Sequence, residues 1–281
     1  MPIFYPAQTL ALEGDDARSF AQAQFSSNVL GLETGQWQFS AWLDARGRVR
    51  FFFHLARLSE QHLVLVLRGG QATLMAAALQ RYVFRARVQI GARGPSALGS
   101  GPAMPLHAVR QANDPDTLVL GCGAYSLLIG NAVEPDDAWR LAQIRALWPW
   151  LPDTALEQWL APALGLDRLG ATALDKGCYP GQEMVARLHY RGGHKRHLQH
   201  VQLSLPLPAG GMLLQGDREL MQLLDIMPTA SGAEALAVVP DELMPDGAAV
   251  EALPADSNLP AVQVTVSKTQ LSPLANANSA E

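Results

Sequence analysis

The sequence predicts an α+β fold that ends in a smaller β-rich domain, and three observations predict it. Apolar residues recur at helical spacing behind Asp15 and Asp16, and strand-like alternation follows around a turn at Asp44. Beyond residue 197 the alternation returns, while no long window keeps a helical period.

Asp15 to Leu30 carries Ala17, Phe20, Ala21, Phe25 and Val29 with polar residues between them, which predicts a helix with Asp15 and Asp16 as caps. Gln38 to Leu43 and Val49 to Phe53 predict two strands joined by a hairpin turn at Asp44-Ala45-Arg46-Gly47, and Leu63 to Leu67 continues the sheet. Gln71 to Tyr82, rich in alanine and leucine, predicts a helix, and Val83 to Ile90 a strand. Gly91 to Pro105 reads as a loop because glycine, proline and serine dominate it. Leu118 to Leu120 and Tyr125 to Ile129 predict short strands, and Pro135 to Leu147 a helix behind a Pro-Asp-Asp start. Leu198 to Leu205 alternates as a strand, and Pro206 to Gly211 and Pro254 to Asn258 supply turns. Leu271 to Glu281 is small and polar, and is expected to be disordered.

At 281 residues and 48% hydrophobic, the chain can bury a sizeable core. A net charge of −5 gives no overall field to recruit RNA, DNA or an acidic membrane, so direct nucleic-acid binding is not expected. Two cysteines in unlike contexts make neither a disulfide framework nor a four-ligand zinc site, which suits a reducing compartment. Met1 to Pro6 lacks a basic segment followed by an apolar one, and no run approaches the ~18 apolar residues of a membrane span. A soluble, cytoplasmic protein without membrane contact is the expectation.

The octapeptide Lys176-Gly177-Cys178-Tyr179-Pro180-Gly181-Gln182-Glu183 carries the chemistry. It sets a cysteine beside a lysine and ahead of a predicted helix start at Gly181-Gln182-Glu183. A thiol's ordinary pKa is roughly 8.5, and a cation or a helix N-terminus lowers it by favouring the thiolate. Cysteine is also a small hydrophobe that cores bury. Cys122, inside Leu118 to Gly123, fits that description, whereas Cys178 lies in a polar, glycine-flanked loop. Cys122 is therefore assigned to the core and Cys178 to function.

Arg187, Arg191, Lys195 and Arg196 follow within a short stretch that also holds four of the seven histidines, His189, His194, His197 and His200. Such a patch can hold a carboxylate tail, a phosphate or RNA backbone. It can equally be a solvated turn around Arg191-Gly192-Gly193. No metal site is expected, because the histidines lack carboxylate or cysteine partners at ligand spacing apart from Cys178.

With these residues in view, the chain resembles the YgfZ family of folate-binding proteins, relatives of the glycine-cleavage T-protein aminomethyltransferases. Lys176 to Glu183 fits every fixed position of that family's Lys-Gly-Cys-aromatic-x-Gly-Gln-Glu signature, and Met184 to Arg187, Arg191-Gly192 and Lys195-Arg196 extend the match. Phe20 to Val29 with Asp44 to Val49, and Trp139 to Pro149, are similar to two further family segments. Gln8 stands where the family has a second folate-associated tryptophan, Leu147 where it usually has glycine, and Asn28 where it often has aspartate.

The resemblance implies a T-protein-like, multi-domain arrangement. Residues 1–50 and 112–197 would form a folate-binding core domain, 51–111 a second α+β domain, and 198–270 a β-barrel-like C-terminal domain. It further implies tetrahydrofolate in a central channel and a role in upkeep of iron-sulfur client enzymes, including one that modifies tRNA. Cys178 becomes the key thiol and Lys176 its activator. Trp139, Tyr179, Gln182, Glu183, Arg187 and Arg191 become the candidate cofactor contacts, with Gln182 and Glu183 positioning the loop. Trp139 suits this because indole stacks on flat rings, although a helical tryptophan also serves a core.

Two other functions stay open. A tetrahydrofolate-dependent aminomethyltransferase or methyltransferase is the first. The resemblance disfavours it, because relatives with that activity carry aspartate where Cys178 stands and a basic residue where Gln182 stands. A module that binds RNA or protein through residues 187–196 is the second.

Overall fold

The computed structural model describes residues 6–267, apart from 115, 244–246, 248 and 257. The tail expected to be disordered, 271–281, lies outside the described residues.

Eight strands form one sheet: β1 (Ala7–Glu13), β2 (Gln36–Leu43), β3 (Val49–Ser59), β4 (His62–Leu67), β5 (Gln89–Gly101), β6 (Val109–Gln111), β7 (Leu118–Gly121) and β8 (Ser126–Gly130). Their spatial order is β2-β3-β4-β1-β5-β8-β7-β6. Side chains alternate across a strand, so β3 feeds two cores. Phe51, Phe53 and Leu55 pack with helices α1 (Ala17–Gln24) and α2 (Ala72–Gln80). Phe52 and Ala56 point the other way, into a cluster with Trp37, Phe39, Trp148 and Trp150. Both faces of the sheet are therefore covered, which explains why β3 and β4 are apolar at almost every position.

Helix α3 (Ala138–Arg145) and the segment after it lie on the second face and lead to helix α4 (Gln182–Arg191). Six further strands then close a barrel: β9 (Arg196–Leu203), β10 (Met212–Gln215), β11 (Arg218–Thr229), β12 (Gly232–Pro240), β13 (Ala249–Pro254) and β14 (Val262–Val266). Val201, Leu223, Ala235, Ala237 and Val264 fill it. Leu198, Leu224, Leu236 and Val238 belong instead to the cluster beneath the sheet, so the barrel wall packs against the rest of the chain. The α+β class and the C-terminal β-barrel expected from the sequence are both present. Among the described residues, no helix is long and apolar enough to cross a membrane.

Three local expectations need correction. The helix expected over 15–30 ends at Gln24, because Ser26 and Ser27 turn their hydroxyls to β2. Ser26 Oγ donates to the carbonyl of Ala41 at 3.0 Å, and Ser27 Oγ meets Ser40 Oγ at 2.7 Å. Asp16 stands at the cap position but makes no side-chain cap bond; its carboxylate accepts from the Arg87 backbone N–H at 2.7 Å. That bond, with the nearby guanidinium, holds the Asp16 carboxyl below its ordinary pKa.

The strand expected at 83–90 starts only at Gln89, and it runs on through the segment that reads as a loop, to Gly101. Its first part pairs with β1 and its last part with β8. Proline has no N–H for a ladder, and Pro95 sits where the pairing slips, between Thr9↔Arg93 and Ala7↔Ser96. Composition conceals a strand whose breakers coincide with its irregularity.

Candidate functional site: the Cys178 loop and the junction cavity

The Cys178 loop is positioned by the segment that ends α1. Lys176 Nζ donates to the carbonyl oxygens of Phe25 at 2.6 Å and Ser27 at 2.7 Å. Between them, the Ser26 carbonyl accepts from the Ala173 N–H at 2.8 Å, and Ser26 Oγ donates to the Ala171 carbonyl at 2.6 Å. Consecutive residues of one strap thus hold residues 171–176. The Lys176 ammonium also stands 5.0 Å from the Tyr179 ring centroid, a cation–π distance. Burial lowers its pKa to about 8.

Tyr179 anchors the other side. Its ring is buried, its hydroxyl has no hydrogen-bond partner, and desolvation pushes its pKa up to about 12. Gln182 Nε2 donates to the Lys176 carbonyl at 3.3 Å and closes the loop on itself. Cys178, between these anchors, is exposed. Cys122 is buried beside β7, and burial pushes its thiol up to about 12. The two cysteines therefore occupy opposite environments, as their sequence contexts suggest.

Two glycines join the loop to the β2–β3 hairpin. Gly181 has φ +79°, and a Cβ there would lie 2.5 Å from the Asp44 carbonyl oxygen. Gly47 also has φ +79°, and its Cβ would come 2.9 Å from Met184 Cβ. Only glycine suits both demands, a left-handed backbone and close approach. Asp44 Oδ1 accepts from the N–H groups of Arg46 and Arg48 at 2.9 and 2.8 Å, which fixes the hairpin turn.

Gly181 caps α4, and Glu183 lies exposed in its first turn. Arg187 and Arg191 are exposed along the helix, as is Lys195 beyond it. Arg196 is structural: its guanidinium donates to the carbonyls of Leu220 and Glu219 at 3.4 and 3.3 Å, and lies 5.6 Å from the Trp159 ring centroid. His194 and His197 rings are 4.5 Å apart, but His197 pairs with Asp241 at 2.8 Å and His200 with Glu234 at 2.9 Å. Among the described residues, no group of three His, Cys, Asp or Glu side chains is placed to hold a metal.

Trp139 belongs to a different element. It sits in α3, 3% exposed, with its indole N–H on the Asp136 carbonyl at 2.9 Å and its ring 5.3 Å from that of Trp150. After α3, Leu147 adopts φ +57°. This left-handed position at a helix C-terminus favours glycine. Here Arg168 secures it by donating to the Leu147 carbonyl at 2.7 Å.

A cavity of ≈ 480 Å³ opens where the sheet, the segment after α3 and the barrel meet. Gln8, Gly69, Gly70, Trp150, Thr154 and Leu224 are among the residues that line it. Gln8 Oε1 accepts from the Ala72 N–H at 3.2 Å, at the start of α2. Residues 153–157 run from this cavity to a hollow beside the Cys178 loop, lined by Glu157, Asp44 and Pro180. Sequence reasoning missed Trp150 and the buried Arg68. The run Trp148-Pro149-Trp150, two tryptophans around a proline just past a helix, was the available signal.

No family model matches the chain. Over 227 residues it is 29% identical to the tRNA-modifying protein YgfZ of Edwardsiella ictaluri, covering 66% of each chain. It is 25% identical to the tRNA-modifying protein YgfZ of Vibrio vulnificus over 216 residues, covering 68% of this chain and 66% of that relative. An uncharacterized protein of Haemophilus influenzae is 27% identical over 195 residues, 67% of this chain and 68% of the relative. The chain thus spans about two thirds of the length of the curated relatives it matches. Among solved structures, the glycine cleavage system aminomethyltransferase T from Bartonella henselae superposes with a TM-score of 0.69 at 16% identity, covering 92% of this chain and 82% of that one. These relationships place the chain in the YgfZ family, on a T-protein-like fold.

Proposed function

We propose that the protein is a folate-binding accessory factor for tRNA modification, acting through the thiol of Cys178 on iron-sulfur client enzymes. The observation that carries this reading is the arrangement around that thiol. Cys178 is exposed, yet its loop is fixed by Lys176 on two carbonyls, by the buried Tyr179 ring and by Gln182. A loop held at three points that leaves one sulfur open suits presentation of a nucleophile or a transient ligand. Lys176 is the positioning residue, and its lowered pKa lets it exchange a proton near neutral pH. Glu183, Arg187 and Arg191 offer a polar face beside the thiol for a client or for the cofactor's carboxylates. The names of the YgfZ relatives support the link to tRNA modification.

The junction cavity fits a reduced folate. Its ≈ 480 Å³ lies within the ~300–1,000 Å³ of small-molecule sites. Trp150 and Leu224 supply apolar wall, and Gln8, Gln71, Asp153 and Thr154 supply polar atoms for a pterin edge. When bound, tetrahydrofolate supplies a carrier for one-carbon units; the chain's own part is to orient it and shield it from water. Equilibrium dialysis of the full chain with 5-formyltetrahydrofolate tests the cofactor. Saturable binding of one ligand per chain is expected, and absence of binding at millimolar ligand would remove folate from the proposal.

A further inference from the structure

We infer that Trp150, rather than Trp139, is the aromatic platform on which the flat ring of the folate stacks; this rests on the folate reading above. Trp150 lines the junction cavity, whereas Trp139 stands in the row behind it. Three contacts fix the Trp150 indole in place. Its N–H donates to Gln143 Oε1 at 2.9 Å, the Trp139 ring leans on it at 48°, and the Arg68 guanidinium lies 4.6 Å from its ring centroid. A ring already fixed in one orientation loses little freedom when a ligand stacks on it.

Arg68 gives the platform its chemical preference. It is fully buried, and among the described residues it forms no salt bridge. Its donors go to the carbonyls of Pro149 and Trp148 at 2.9 and 2.7 Å and to Gln143 Oε1 at 2.8 Å. Desolvation lowers its pKa to about 9, which still leaves it charged at neutral pH. An unneutralised cation against one face of an indole draws the ring's electron density toward itself. The opposite face then favours an electron-rich partner over an electron-poor one. A reduced pterin, with amino substituents feeding its ring, belongs to the favoured class.

Isothermal titration of 5-formyltetrahydrofolate into the full-length wild type, Trp150→Leu, Trp150→Phe and Trp139→Phe tests this assignment, with thermal melts run on each variant. Trp150→Leu is expected to weaken binding by about tenfold, the effect of removing one stacking ring. Trp150→Phe, which keeps a ring but not the bond to Gln143, is expected to retain most of the affinity. Trp139→Phe is expected to lose less than Trp150→Leu. Equal affinity of Trp150→Leu and wild type, a Trp150→Phe loss as large as that of Trp150→Leu, or a larger loss from Trp139→Phe would overturn the inference and leave the folate reading standing. Failure of the wild type itself to bind would overturn both.

Discussion

Arg140 of α3 and Asp225 of β11 form an ion pair in which both side chains are buried, at 2% and 0% exposure. The Arg140 guanidinium also donates to the Ile226 carbonyl at 2.9 Å, so one residue ties the segment beneath the sheet to the barrel wall. Arg145, on the same helix, repeats the link at the surface by bonding Glu234, which also receives His200.

Removing one member of a buried pair leaves the other charge without compensation. Arg140→Met should therefore destabilise the protein by about 3–5 kcal/mol in urea unfolding, and adding Asp225→Leu should restore most of the loss. An Arg140→Met variant as stable as wild type would show that the pair does not hold the barrel in place.

The two cysteines should separate cleanly by reactivity. In native protein, Ellman's reagent should modify Cys178 alone, because Cys122 is buried with its thiol pKa pushed up to about 12. Full denaturant should release the second thiol. Rapid modification of Cys122 in the native state would contradict its burial.

The lowered pKa of Lys176 gives stability a pH dependence with a definite sign. Burial brings the folded pKa down to about 8 from 10.5, so between these values the unfolded chain holds more protons than the folded one. Stability should therefore rise with pH through that window. Tyr179 acts in the opposite sense only at higher pH, because its own pKa moves from 10.0 up to about 12. Urea midpoints at about pH 7.5 and about pH 9.5 should increase in wild type, and Lys176→Met should flatten the change. An identical slope in the variant would remove Lys176 as its source.

Much of the site could be read in the sequence where the cause is local. Gly181 before Gln182 and Glu183 marks the start of α4, and Asp44 to Gly47 marks a turn, because backbone freedom and short-range hydrogen bonds decide both. Long-range partners could not be read in this way. Lys176 reaches carbonyls some 150 positions away, which assigns it to holding the loop, a role that its place beside Cys178 does not suggest. Arg68 follows β4 and precedes two glycines, a context that reads as surface; only the return of Pro149 to Leu151 buries it. Strand β5 escaped notice because its Gly-Pro breakers fall where its ladder shifts from one partner toward the next.

The central claim is that the open thiol of Cys178 performs the protein's task in tRNA modification. Its most direct test is mass spectrometry of total tRNA nucleosides from cells that lack their own YgfZ-type protein and express either wild type or Cys178→Ala at equal levels. Because Cys178 is exposed and supports no core, the variant should fold normally. The account predicts that wild type restores the modified nucleoside and Cys178→Ala leaves it depleted. Equal restoration by both proteins would contradict it.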